Sequence, residues 1–231
     1  MDIADRISQV KGQLGEGVCL VAVSKTKPVA VIEEAYRAGQ TVFGENKVQE
    51  LVAKYGKLPS DIQWHLIGHL QTNKVKFIAP FIHLVQSVDS FRLLKTIDRE
   101  GRKNNRKIRC LLQFYIAEEE TKFGFDLAEA TGMLASDEFR KLEFVEVCGV
   151  MGMATNTDRE EQVRKEFRSL KEIFKRIKGE FFDKQESFAE ISMGMSDDYR
   201  IAVEEGSTMV RIGSLIFGER RCELSSITNN Q

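Results

Sequence analysis

Eight short apolar runs recur along this 231-residue chain, and a helix-type stretch follows nearly every one, an alternation that restricts the chain to a largely parallel sheet covered by helices. The first run begins at Val18 and stops at Ser24; Val, Leu, Cys and Ala occupy both parities, so no polar side is left to face water and the run reads as a buried strand. Further strands are expected at Thr41–Gly44, Gln63–Ile67, His83–Ser87, Ile108–Phe114, Val145–Met151, Phe188–Ser192 and Thr208–Ile212. Pro28 suits a first helical turn and Gly39 a helix end, which brackets a helix over 29–38. Other helices are expected near 47–55, 68–78, from Asp89 or Ser90 to Asn104, over 126–135, and over 197–205. The longest follows the sixth strand and carries Val163, Phe167, Leu170, Phe174 and Ile177 at intervals of four and three, a core-facing stripe. No Pro/Gly/Ser-rich linker, low-complexity tract or internal repeat divides the chain. Residues 1–231 therefore read as a single α/β domain, a (β/α)₈ TIM barrel with an N-terminal helix, against the competitor of an open doubly wound sheet.

The bulk composition excludes several functions. With 34 basic and 35 acidic residues the formal net charge is -1, which offers no electrostatic footprint for nucleic acid or a membrane surface. The N-terminal segment places Ile3, Ile7, Val10 and Leu14 on one helical face and does not resemble a signal peptide, and no apolar run approaches the ~20 residues of a membrane span. A cytoplasmic protein working on small molecules is expected. Cys19, Cys110, Cys148 and Cys222 are scattered without Cys-x-x-Cys spacing and read as reduced thiols.

In a barrel the carboxyl ends of all strands meet on one face, where such folds place their sites. Lys25, Asn46, His65, Ser87, Gln113, Met151, Ser196 and Arg211 are expected there. Lys25 shares parity with Val21 and Val23 and is the first charge past the first strand. A lone lysine at a strand end usually snorkels to water. Beside apolar walls, desolvation instead lowers its pKa and leaves free base to attack a carbonyl. Two small-residue loops, Ser192–Ser196 and Arg211–Ser214, follow the last two strands, a position at which backbone N–H groups and hydroxyls hold phosphates. Taken with Lys25, they suggest a ligand bearing a phosphate and an aldehyde, such as pyridoxal 5'-phosphate.

The blocks VAVSKTKP (Val21–Pro28), FGEN (Phe43–Asn46), VQE (Val48–Glu50), WHLIGHLQTNK (Trp64–Lys74), SMGMSDD (Ser192–Asp198) and RIGSLIFG (Arg211–Gly218) resemble the pyridoxal phosphate homeostasis protein family, from about Val18 to Gly218. The resemblance implies the pyridoxal-phosphate fold type III barrel of alanine racemase and a cofactor held as a lysine Schiff base, with Lys25 the matching lysine. It further implies that Arg211 faces the pyridine nitrogen, that Ser196, Gly213 and Ser214 hold the phosphate, and that Asn46 lies beside the ring. A guanidinium only donates hydrogen bonds, so a ring nitrogen against Arg211 stays unprotonated and the ring is a weak electron sink. The expectation is a monomeric carrier without robust catalysis that buffers or delivers the cofactor to pyridoxal-dependent apoenzymes; the alternative is a weak amino-acid racemase or another enzyme using this cofactor. Two departures stand out: only Glu219–Gln231 follows the last block, with no β-domain to supply a second acid/base, and Lys47 replaces an aromatic residue of many relatives.

His65 and His69, four apart, lack the following Glu of a zinc motif and read as hydrogen-bonded histidines. His83 shows no partner in the sequence. Lys27 is the rival carbonyl-binding amine, although it lies beside Pro28, where the chain has turned. Met151, Met153, Met193 and Met195 either wall a ligand or fill the core. Glu118–Glu120 and the mixed run Arg99–Lys107 read as solvated faces.

Overall fold

Strands buried on both faces pair most simply in parallel, with the intervening helices returning the chain to the same end of the sheet. The computed structural model, which describes residues 1–117 and 124–218, contains eight such strands. They are β1 Cys19–Val23, β2 Val42–Glu45, β3 Gln63–Leu66, β4 Leu84–Val88, β5 Ile108–Tyr115, β6 Val145–Met153, β7 Glu190–Ser192 and β8 Met209–Ile212. All pair in parallel in chain order, and β8 closes on β1 with Cys19 opposite Met209 and Val21 opposite Arg211. Closure eliminates the open doubly wound alternative.

The helices are α1 Ile3–Gln13, α2 Val29–Arg37, α3 Val48–Tyr55, α4 Val75–Ile78, α5 Phe91–Lys103, α6 Leu127–Ala135, α7 Asp137–Arg140, α8 Glu160–Phe181, α9 Tyr199–Glu204 and α10 Ser214–Phe217. Their ends follow local chemistry. Asp2 and Asp5 form a capping box at α1. Gly39, at φ 83°, closes α2 while the Gln40 N–H reaches back to the Ala35 carbonyl at 3.1 Å, a Schellman arrangement. Of the two candidates for the cap of α5, Ser90 performs it, accepting from the Leu93 N–H.

Alternating parity splits the core in two. Val21, Leu84, Leu111, Cys148, Met151 and Met209 fill the barrel interior, while Leu20, Ala22, Phe43 and Trp64 point outward and pack with the helical stripe Val163, Phe167, Leu170 and Ile177. A bulge in β6 sets Cys110 opposite Val147 and Leu111 opposite Gly149, which leaves Cys148 as the extra residue.

Three details differ from the sequence reading. Residues 68–71 are not helical; a 3₁₀ turn at Thr72–Lys74 leads directly into the short α4. Gly68 is tucked so closely against the preceding connection that an added Cβ would lie 2.5 Å from the Asn46 carbonyl oxygen. The short α7 and α10 are additional elements, and β1 ends at Val23, before Lys25. The acidic run Glu118–Glu120, Cys222 and the segment Glu219–Gln231 lie outside the described residues, among which Cys19, Cys110 and Cys148 are free thiols. Among the described residues no helix is long and apolar enough to cross a membrane.

Candidate functional site

The chain leaves β1 in a tight turn: the Lys27 N–H donates to the Ser24 carbonyl at 3.0 Å, and Lys25 and Thr26 occupy the corner. Thr26 has φ 65°, a left-handed conformation that a β-branched residue rarely adopts. Lys25, half-buried, thus projects from a turn rather than from the strand itself. It lines a cavity of about 230 Å³ together with Ser196, Arg211, Gly213 and Ser214. These four come from the loops that follow β7 and from β8 with its following turn, so the structure brings together five of the six residues expected to hold a ligand. The sixth, Asn46, is not on that wall; it stands just past β2 with its backbone against Gly68.

Arg211 is the buried cation of the group, at 4% exposure. Its Nη1 donates to the Ser192 hydroxyl at 2.7 Å and its Nη2 to the Gly152 carbonyl at 3.0 Å. Burial pulls its pKa down to about 10, which still leaves the guanidinium charged at neutral pH. Gly213 presses against β1, and an added Cβ would stand 3.2 Å from the Val23 carbonyl oxygen. The absent side chain lets the turn lie close to Lys25, and the first N–H groups of α10 have no intrahelical partner. Lys27 and Asp197 also line the cavity. The Lys27 ammonium donates to the Phe217 and Gly218 carbonyls at 3.0 and 3.3 Å, tying the end of α10 to the β1 turn. Three cations, Lys25, Lys27 and Arg211, with the hydroxyls of Ser196 and Ser214, therefore outnumber a single lining carboxylate, a donor set suited to a phosphate-bearing ligand.

Behind the turn lies a network that sequence reasoning did not anticipate. The Lys54 ammonium donates to the Ser24 carbonyl at 2.9 Å, to Glu45 at 2.7 Å and to Glu50 at 2.6 Å. Glu45 Oε1 also accepts from the Ser24 hydroxyl, and Glu50 Oε1 accepts from the Thr26 N–H at 2.6 Å. Burial pushes the Glu45 carboxyl up from its ordinary range, against the pull of Lys54 and Ser24. The spacing of Glu50 and Lys54, four apart on α3, is a signal legible in the sequence. Their convergence on Ser24 and Thr26 is not.

The other residues expected at the mouth divide differently. Met151 fills the barrel interior, as does His65, which is buried against Gln86 and stacks on His83. His65 is thus an interior residue rather than a mouth residue, because the parity of β3 turns it inward one layer below the strand ends. His69 pairs with Asp89 at 2.8 Å, so the two histidines have different partners. His83, partnerless in the sequence, meets Arg109 Nη1 at 3.2 Å. Ser87 donates to the Gly68 carbonyl at 2.6 Å, and Gln113 is buried on β5. Met193 is core, whereas Met153 and Met195 are exposed. Lys47 is exposed as well.

Residues 2–221 match the family described as alanine racemase, N-terminal domain. Pyridoxal phosphate homeostasis proteins of Aquifex aeolicus and Haemophilus influenzae are 38% and 36% identical to this chain, covering 95% and 90% of it and 96% and 87% of their own lengths. PipY of Synechococcus elongatus, solved with PLP bound, is 35% identical and superposes with a TM-score of 0.85 over 94% of this chain and 100% of its own. An alanine racemase of Clostridium difficile, 14% identical, superposes with a TM-score of 0.75 over 96% of this chain. This chain spans 61% of that racemase, and the likeness is one of fold alone.

Proposed function

The chain belongs to the pyridoxal phosphate homeostasis protein family and carries the alanine racemase N-terminal domain, and from that premise we propose that it binds pyridoxal 5'-phosphate reversibly through Lys25 and buffers or delivers it to apoenzymes. The observation that carries this reading is the shared cavity: the Lys25 amine, the buried Arg211 guanidinium and the Gly213–Ser214 turn line the same 230 Å³ space. The residues fit the group. Ser196, Ser214 and the backbone of the Gly213 turn supply phosphate donors, Lys25 supplies the amine, and Arg211 supplies N–H donors for the ring nitrogen. When bound, the cofactor supplies an aldehyde and a conjugated ring.

Lys25 would supply the amine that condenses reversibly with the cofactor's aldehyde, water being lost on capture and taken up again on release. Arg211 stays protonated and cannot pass a proton to the ring nitrogen, which favours retention over chemistry on a bound amino acid.

The test is a titration of the purified protein with pyridoxal 5'-phosphate, followed by absorbance, borohydride reduction and peptide mapping. A visible band and a reduced adduct on Lys25 are expected, and transfer of the cofactor to an apoenzyme should restore that enzyme's activity. An adduct on another lysine overturns the assignment of Lys25. Catalytic loss of an α-deuteron from amino acids overturns the carrier reading in favour of an enzyme.

A further inference from the structure

The residues on either side of Lys25 are gripped by one buried side chain. Lys54 holds Ser24 by its carbonyl, and through the shared Glu50 Oε1 it holds the N–H of Thr26. All three ammonium hydrogens are used, since the third goes to Glu45, whose side chain is fully buried and which also takes the Ser24 hydroxyl. Thr26 sits at φ 65°, and a β-branched residue stays in that region only where its surroundings over-determine it. The Lys27 N–H to Ser24 carbonyl bond closes the turn from within, while Lys54 and Glu50 brace it from outside. Lys25 is the one residue of the corner whose main chain the network brackets on both sides.

From this arrangement we infer that Lys54, with Glu50, is a positioning device for Lys25, fixing the turn so that the amine meets the carbonyl carbon of a ligand already held at the Gly213–Ser214 side. The inference rests on the proposed role of Lys25. Buried ion pairs contribute little net stability but are costly to break, so a lysine and two glutamates at this place serve geometry more than energy. The phosphate side of the cavity belongs to other elements, β8 and α10, and lies outside the network. The clamp therefore acts on covalent capture and leaves non-covalent binding nearly unchanged.

Two ligands separate these effects. Pyridoxal 5'-phosphate needs both the amine and the phosphate side, whereas pyridoxine 5'-phosphate, an alcohol, reads the phosphate and ring contacts alone. The variants are Lys54→Met and Glu50→Ala; Glu50 is 24% exposed, so the second leaves the buried Lys54–Glu45 pair in place and folds even where the first does not. Both variants should bind pyridoxal 5'-phosphate about tenfold more weakly, the scale of one charge-assisted hydrogen bond, with pyridoxine 5'-phosphate within about twofold of wild type. Glu50→Gln keeps an oxygen for the Thr26 N–H and should restore most of the difference. In cofactor-free protein, amide hydrogen exchange across 24–27 should rise in Glu50→Ala. Equal losses for both ligands, or no loss with unchanged exchange, overturn the inference. If wild type itself forms no adduct on Lys25, the carrier reading fails, while the exchange measurement still decides whether the clamp holds the turn.

Discussion

Gln86 Nε2 stands 2.9 Å from His65 Nδ1 in the closed interior of the barrel, and this contact fixes the direction of a polar chain reaching Arg211. Arg211 donates to the Ser192 hydroxyl, which must then donate onward to Gln86 Oε1 at 2.7 Å. That leaves the Gln86 amide hydrogens for His65 and for the Met209 sulfur at 3.1 Å. His65 Nδ1 is consequently an acceptor, and its proton belongs on Nε2, which is buried without a partner among the described residues. Burial, with His83 and Arg109 nearby, lowers the His65 pKa to about 3.

A pH dependence of stability follows from this neutral imidazole. The unfolded chain takes up a proton at His65 below about pH 6.5 and the folded chain only near pH 3, so stability rises with pH inside that window and is lost on acidification. The slope from this site approaches about 1.4 kcal/mol per pH unit. Urea unfolding at pH 7.5, 6, 5 and 4 should show it, and His65→Gln should flatten the profile by about that amount. His83, whose pKa is lowered in the same direction by burial, should leave a residual slope. An unchanged profile in His65→Gln contradicts the assignment.

The bulge in β6 makes a separate prediction. Gly149 has φ 152°, and an added Cβ would overlap the Glu190 carbonyl of β7. Backbone cannot yield as a flexible side chain can. Gly149→Ala should therefore cost about 3 kcal/mol or more, a fall in Tm of roughly 6–12 °C by thermal denaturation. Gly132→Ala, on α6 with open space around its Cβ position, should be neutral or stabilising.

Periodicity made the strand order and most helices legible in the sequence, because Val18–Val23 and its counterparts carry apolar residues at both parities while α8 carries them every third or fourth position. Closure of the barrel rests on β8 meeting β1, a contact between residues 190 apart that no local pattern encodes. The same limit applied at the site. Lys25, Ser196 and the Gly213 turn stand in blocks with recognisable composition, but Lys54 lies in an ordinary amphipathic helix, and only the fold turns its ammonium under Ser24. His65 lies within β3 rather than past its end, and an inward-turned residue inside a strand stands in a core layer, whereas the opening is reached by residues beyond the strand.

Gly213 tests the phosphate side independently of the amine. A Cβ there would lie 3.2 Å from the Val23 carbonyl and 3.3 Å from Val23 Cβ, which forces the turn outward without a φ penalty. Gly213→Ala should leave the melting temperature nearly unchanged and weaken pyridoxine 5'-phosphate and pyridoxal 5'-phosphate alike, by about tenfold measured calorimetrically. Weakening confined to the aldehyde would contradict a phosphate role for this turn.

Lys25 and Lys27 line one cavity two residues apart, and the contacts of Lys27 bear on which of the two would capture a carbonyl. The Lys27 ammonium donates to the Phe217 and Gly218 carbonyls at the end of α10. An amine that donates its protons to two carbonyls is a poor nucleophile, since attack needs the lone pair. Lys25→Ala should therefore abolish both the visible band and the borohydride-trapped adduct. Lys27→Ala should keep the band and the mapped adduct, but bind the phosphate less tightly as the end of α10 loses its tie to the β1 turn. A surviving adduct in Lys25→Ala that maps to Lys27 would exchange the two roles and move the site of covalent capture to the far side of the turn.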